Sequence, residues 1–157
     1  MADSFRFQMQ PKRTDLLLLG KLSALVDGKM VAEWPATSGI RYRQGLLDIW
    51  TRGKGLIPPS TEVQDPYRLG TEKAHSNNFK AVGEFIYTIW PLNVWCKDRL
   101  RKRSNFGLHF DANHKTSPGS GGCIVLIDET EWESLQAYLD NLFAEGVREI
   151  PLEVMYV

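Results

Sequence analysis

Residues 107–157 read GLHFDANHKTSPGSGGCIVLIDETEWESLQAYLDNLFAEGVREIPLEVMYV, and the order of patterns in this stretch sets the expected fold class. Asn105 to Phe110 and Cys123 to Ile127 are short apolar runs that read as strands, separated by the polar loop Asp111 to Gly122. Asp128-Glu129-Thr130 then offers a helix N-cap, because a side-chain oxygen there accepts from an amide left free in the first turn. Trp132, Leu135, Leu139, Leu142 and Phe143 fall on one helical face, the stripe that a helix buries against a sheet. Gly146 stands where a glycine ends a helix. In Val147 to Val157, Ile150, Leu152, Val154 and Tyr156 alternate, the period of a closing strand. Strand, helix and strand in this order, with one helix and many strands elsewhere, predict a β-rich α+β domain.

Outward toward the N-terminus the β signal continues. Phe5, Phe7 and Met9 share one face of a strand, and the apolar run Leu16 to Leu19 follows. Asp27-Gly28 is a strong hairpin turn, so Lys21–Val26 and Met30–Trp34 pair. From Thr37-Ser38-Gly39 to Pro66 the chain is rich in glycine and proline and reads as a long ordered loop, of the kind that lines a site. Val82, Phe85, Ile86, Tyr87, Ile89 and Trp90 make Ala81–Pro91 a buried strand.

The 157 residues suit one domain, residues 1–157, with a single core. Lysine plus arginine and aspartate plus glutamate number 19 each, so no global field draws the chain toward nucleic acid or an anionic membrane. Met1 to Phe7 lacks the basic head and apolar stretch of a secretory signal, and Leu16–Leu19 is too short to span a bilayer. The expectation is a protein made in the cytoplasm that needs dedicated export, delivery or lysis to reach the cell wall. No P-loop or dinucleotide fingerprint calls for a cofactor.

The two cysteines, Cys96 and Cys123, cannot form a disulfide framework. Cys123 sits in a Gly/Ser-rich loop with histidines upstream, and that context marks a nucleophile. A cysteine becomes one when an imidazole takes its proton and the backbone stabilises the developing charge. His109, at the end of the preceding strand, is the candidate base. Gly119, Gly121 and Gly122 allow the loop to aim its amides at a substrate carbonyl. Cys96 reads as a buried structural residue, and His75 has no motif around it.

The run from strand to His109, glycine-rich loop, Ser120-Gly121-Gly122-Cys123 and apolar strand resembles the L,D-transpeptidase catalytic-domain family. The family signature is a histidine, a spacer and Ser/Thr-His-Gly-Cys; Gly121 replaces the motif histidine here and Val125 a frequent arginine. The looser Ser-x-Gly-Cys-Ile form is similar to members in bacteriophages and contact-delivered antibacterial effectors. The resemblance implies a β-sandwich with one amphipathic helix near the C-terminus and a cysteine acyltransferase or hydrolase acting on peptidoglycan stem peptides. It implies catalytic roles for Cys123 and His109, with Ser120 and Gly122 shaping the oxyanion loop. Asp111, His114, Trp50 and Arg101 are the candidate substrate-binding residues. Arg101 lies in the basic run Lys97–Arg103, which is a solvated edge or a grip on stem-peptide carboxylates. The alternatives are a degenerate cell-wall- or protein-binding module of the same fold, or a zinc hydrolase built on His109, Asp111, His114 and Cys123.

Overall fold

The structure is a computed structural model that describes residues 2–157. In chain order its elements are β1 (Ser4–Met9), β2 (Gly20–Val26), β3 (Lys29–Ala36), β4 (Tyr67–His75), α1 (Phe79–Val82), β5 (Phe85–Trp90), β6 (Asn93–Trp95), β7 (Lys102–Ser104), β8 (Gly107–Phe110), β9 (Ile124–Leu126), α2 (Glu129–Ala144) and β10 (Glu149–Tyr156). Eight strands form one mixed sheet in the order β3-β2-β1-β10-β4-β5-β8-β9, while β6 and β7 make a separate hairpin. The two outer strands of the large sheet meet: Thr37, just past β3, and Val125 in β9 exchange two backbone hydrogen bonds of 2.8 Å. The sheet thus curls until its edges join, and the domain is α+β with β dominant.

Local sequence accounts for most of this. Phe5, Phe7 and Met9 alternate into the core from β1. Asp27 and Gly28 both take positive φ (50° and 76°) in the β2–β3 turn, the geometry that two-residue hairpins favour. Asp128 caps α2 by accepting from the Glu131 amide at 3.0 Å, and Gly146 (φ 93°) follows its end. Trp132, Leu135, Leu139 and Leu142 are the buried stripe of α2, whereas Phe143 is only partly buried. Trp34 is packed between Phe5, 6.2 Å between ring centroids, and Tyr138 of α2, 5.3 Å away, and its indole N–H reaches Ser134 Oγ at 3.1 Å.

Three segments differ from expectation. Leu16–Leu19 forms no strand; Leu16 and Leu19 are exposed and the segment runs as an irregular connection into β2. Ala81–Pro91 is not one strand, because Asn78 caps a single turn of helix whose carbonyl the Gly83 amide closes before β5 begins. Tyr67–His75, unsuspected in the sequence, is the full strand β4. Its buried residues Tyr67, Leu69, Gly70 and Thr71 break strict alternation, and a register irregularity lies between Leu69 and Lys73. A bulged strand of this kind loses the period-two signal.

Candidate active site around Cys123

β8 and β9 are parallel neighbours, with Leu108 beside Ile124, His109 beside Val125 and Phe110 beside Leu126. Leu108, Ile124 and Leu126 enter the main core. Strand alternation therefore turns Gly107, His109, Cys123 and Val125 to the opposite face. Cys123 comes just before β9, and its half-buried sulfur accepts a hydrogen bond from the Gly107 amide at 3.3 Å. Desolvation pushes the thiol above its ordinary value, while the Gly107 amide and the nearby Arg103 charge pull it down.

His109 is 5% exposed. Its Nδ1 lies 2.7 Å from the Phe110 carbonyl oxygen. A carbonyl only accepts, so Nδ1 carries the proton and Nε2 holds the free lone pair. Burial lowers the imidazole below its ordinary value, opposed by that hydrogen bond, and keeps it neutral at neutral pH. No hydrogen bond joins His109 to Cys123. The two share a face but stand two residues apart along the ladder.

The loop between β8 and β9 is fixed by buried polar bonds. Asp111 Oδ2 accepts from the Gly119 amide at 2.8 Å, and Gly119 (φ 94°) pairs with Ile40. The Ser120 amide reaches the Gly39 carbonyl at 3.0 Å. Ser120 Oγ donates to the Cys123 carbonyl and accepts from the Gly122 amide at 3.3 Å. Ser120 thus shapes the loop from within and does not touch the thiol. Because the Gly122 amide is already engaged, the amide preceding the cysteine is not the oxyanion donor that the sequence suggested. Among the described residues, the unpaired amides in the stretch Gly119–Cys123 are those of Gly121 and Cys123.

Arg103 is the residue that sequence reasoning missed. It was one cation in a basic run; in the structure it is 3% exposed and faces no carboxylate. Its guanidinium donates to four carbonyls, of Ile49 (2.7 Å), Leu56, Gly55 (3.2 Å) and Gly121 (2.7 Å), and lies 4.9 Å from the centre of the Phe106 ring. One cation thereby ties the long loop to the cysteine loop. Gly122, at φ 131°, lies against it: a Cβ there would come within 2.4 Å of Arg103 Nη2 and 2.5 Å of the Phe106 ring. This explains the glycine before Cys123. The available signal was alternation, since Arg103 is the inward residue of β7 between outward Lys102 and Ser104.

The expected substrate-binding residues divide. Asp111 is fully buried beneath the loop, and desolvation pushes its carboxyl up to about 6 against the opposing Gly119 amide and His114. His114 is tied to the Asp111 carbonyl at 2.9 Å and stacks edge-on to Phe110. Both therefore brace the loop rather than face a substrate. Arg101 lies over Trp50 at 5.3 Å and bonds Asp98 at 3.0 Å and Cys96 Sγ at 3.2 Å, and Trp50 reaches Glu62 at 3.4 Å. This pair joins the long loop to the β6–β7 hairpin and makes no bond to the cysteine loop. A cleft of about 230 Å³ does open beside Gly121, lined by Arg52, Gly53, Lys102, Arg103 and Ser104.

Among the described residues, no group of three or more histidine, cysteine, aspartate or glutamate side chains is placed to hold a metal ion, so His109, Asp111, His114 and Cys123 do not converge as ligands. Comparison with protein-family models, curated proteins and solved structures found no significant match.

Proposed function

We propose that the protein is a cysteine-dependent enzyme of the L,D-transpeptidase or L,D-carboxypeptidase type, acting on peptidoglycan stem peptides. The observation that carries this reading is the tautomer of His109: its Nδ1 proton is committed to the Phe110 carbonyl, which leaves Nε2 as a base on the face that holds Cys123. Thiol and imidazole are both neutral at rest, so the reading is general-base catalysis, not a preformed ion pair. A side-chain rotation brings Sγ from the Gly107 amide to Nε2. Nε2 then takes the thiol proton while sulfur attacks the carbonyl carbon of the L,D-bond. The amides of Gly121 and Cys123 stabilise the oxyanion. The C–N bond breaks, His109 returns the proton to the departing D-alanine amine, and a thioester remains on Cys123. Water resolves it to a trimmed peptide, and a second stem-peptide amine resolves it to a cross-link.

A second reading is favoured by one observation, the lack of a hydrogen bond between thiol and imidazole. In that reading the domain is a non-catalytic module that binds wall fragments. Intact-mass analysis of the protein and of Cys123→Ala, each incubated with tetrapeptide muropeptides, separates the two. Loss of terminal D-alanine or appearance of a dimer, dependent on Cys123, supports the enzyme. A folded protein that yields neither adduct nor product sinks it in favour of the binding module.

A further inference from the structure

The cleft beside Gly121 has an unusual charge balance. Arg52, Lys102 and Arg103 line it together with Gly53, Ser104 and Gly121, and no acidic residue does. None of the three cations forms a salt bridge with a carboxylate. Arg52 is the most available. Its Nε donates to the Lys102 carbonyl at 3.2 Å, which anchors the side chain and leaves the outer edge of the guanidinium unpaired. Lys102 Nζ has only the ring of Trp95, 5.4 Å from its centre. Arg103 contributes field rather than a donor, since its four bonds go to carbonyls. Gly121, two residues before Cys123, forms the inner wall and presents an unpaired amide.

A concave site with one sign of charge and no internal counter-ion concentrates an opposite charge. A planar guanidinium held by its Nε suits a carboxylate, which it meets through two parallel N–H groups. The cation that acts on the thiol is Arg103 of β7, and Arg52 of the long loop lines the same cleft as Arg103. We propose that this cleft is the carboxylate subsite of the peptide substrate, with Arg52 as its principal ligand and Lys102 as the second cation. This rests on the reading of Cys123 as a peptide-directed nucleophile, and places the substrate's free carboxylate on the Arg52 side of the thiol. Its size suits the end of a peptide and not a folded polymer.

Binding of Nα-acetyl-lysyl-D-alanine and of its C-terminal amide is measured by calorimetry on Cys123→Ala, which cannot turn either over. The acid is expected to bind about tenfold more tightly than the amide, the effect of one charge-assisted bidentate contact. Arg52→Gln with Lys102→Gln is expected to erase that preference with the fold retained by circular dichroism, and Arg52→Lys to restore part of it. Equal binding of acid and amide, no binding of either, or a preference that survives the double substitution would overturn the assignment. So would tighter binding of inorganic phosphate than of the acid, which would mark a different anion. Turnover is read separately on the protein with Cys123 intact. Acid preference without D-alanine release sinks the enzyme and keeps the subsite; release without acid preference does the reverse.

Discussion

Two ends of the sheet are held together by different physics. At the β1–β3 end, Phe5 and Trp34 pack against Tyr138 of α2, and stability there comes from area removed from water. At the β8–β9 end the cysteine loop is held mostly by buried hydrogen bonds, from Arg103, Ser38, Ser120 and Asp111. Ser38 shows the pattern: its hydroxyl donates to the Gly122 carbonyl at 2.8 Å and accepts from the Ile57 amide at 2.8 Å. Apolar packing tolerates rearrangement of similar volume, while a buried polar network holds only if every member is satisfied. The difference teaches that the cysteine loop is fixed by directional bonds, which set where its backbone amides point.

The comparison breaks most easily at Gly122. Gly122→Ala puts a methyl group into Arg103 and the Phe106 ring at a φ that L side chains avoid. It is expected to abolish Cys123-dependent product formation and to cost on the order of 3 kcal/mol in a denaturant titration. Leu139→Ala in α2, at 0% exposure, is expected to cost about 2–5 kcal/mol while kcat/KM well below the melting temperature stays near that of the parent. A large loss of kcat with Leu139→Ala would show that the two ends are not separable.

Arg103→Lys sharpens the contrast. It keeps the charge but cannot reach four carbonyls, and kcat/KM is expected to fall roughly a hundredfold, the scale of a misplaced oxyanion loop. Arg103→Met also removes the charge and is expected to raise the Cys123 thiol further, read as an alkaline shift in the pH dependence of iodoacetamide alkylation. Identical alkylation profiles for the two variants would remove the electrostatic role and leave only the structural one.

The effect of pH is the most specific. Burial raises the Asp111 carboxyl from 3.8 to about 6, so the folded state holds this proton more tightly than the unfolded chain. The associated stability is fully present below about pH 4 and is lost as pH rises through about 6, by at most about 3 kcal/mol. His109 acts in the opposite sense. Its lowered value means that the unfolded chain takes up the proton first, so its contribution is complete above about pH 6.5 and fades as pH falls. Asp111→Asn should therefore leave a stability that only rises with pH between about 4 and 7. A stability difference between parent and variant that is flat across that window would show that Asp111 is not desolvated.

The apolar end was legible in the sequence. Alternation at Phe5, Phe7 and Met9, the Asp27-Gly28 turn and the stripe of α2 all follow from periods that packing imposes. At the candidate site, the closeness of His109, the glycine loop and Cys123 was legible because these residues are local in the chain. Arg103 was hidden because burial of a cation depends on carbonyls from residues 49–56 and 121 that no local pattern brings together. Trp50 and Arg101 misled for the mirror reason: an aromatic and a cation suited to a substrate satisfy each other instead. Strand β4 escaped because its bulge erased the alternation that would have announced it.

The place of β10 has a consequence for how the molecule is made. The last strand in sequence lies in the middle of the sheet, parallel to β1 and antiparallel to β4. Until residues 149–156 are made, β1 and β4 lack the strand that lies between them in the sheet. The joining of Thr37 to Val125, which sets the start of the cysteine strand, must wait for both halves. A copy truncated before residue 149 is therefore expected to carry Cys123 without the strand that joins the two halves of the sheet around it.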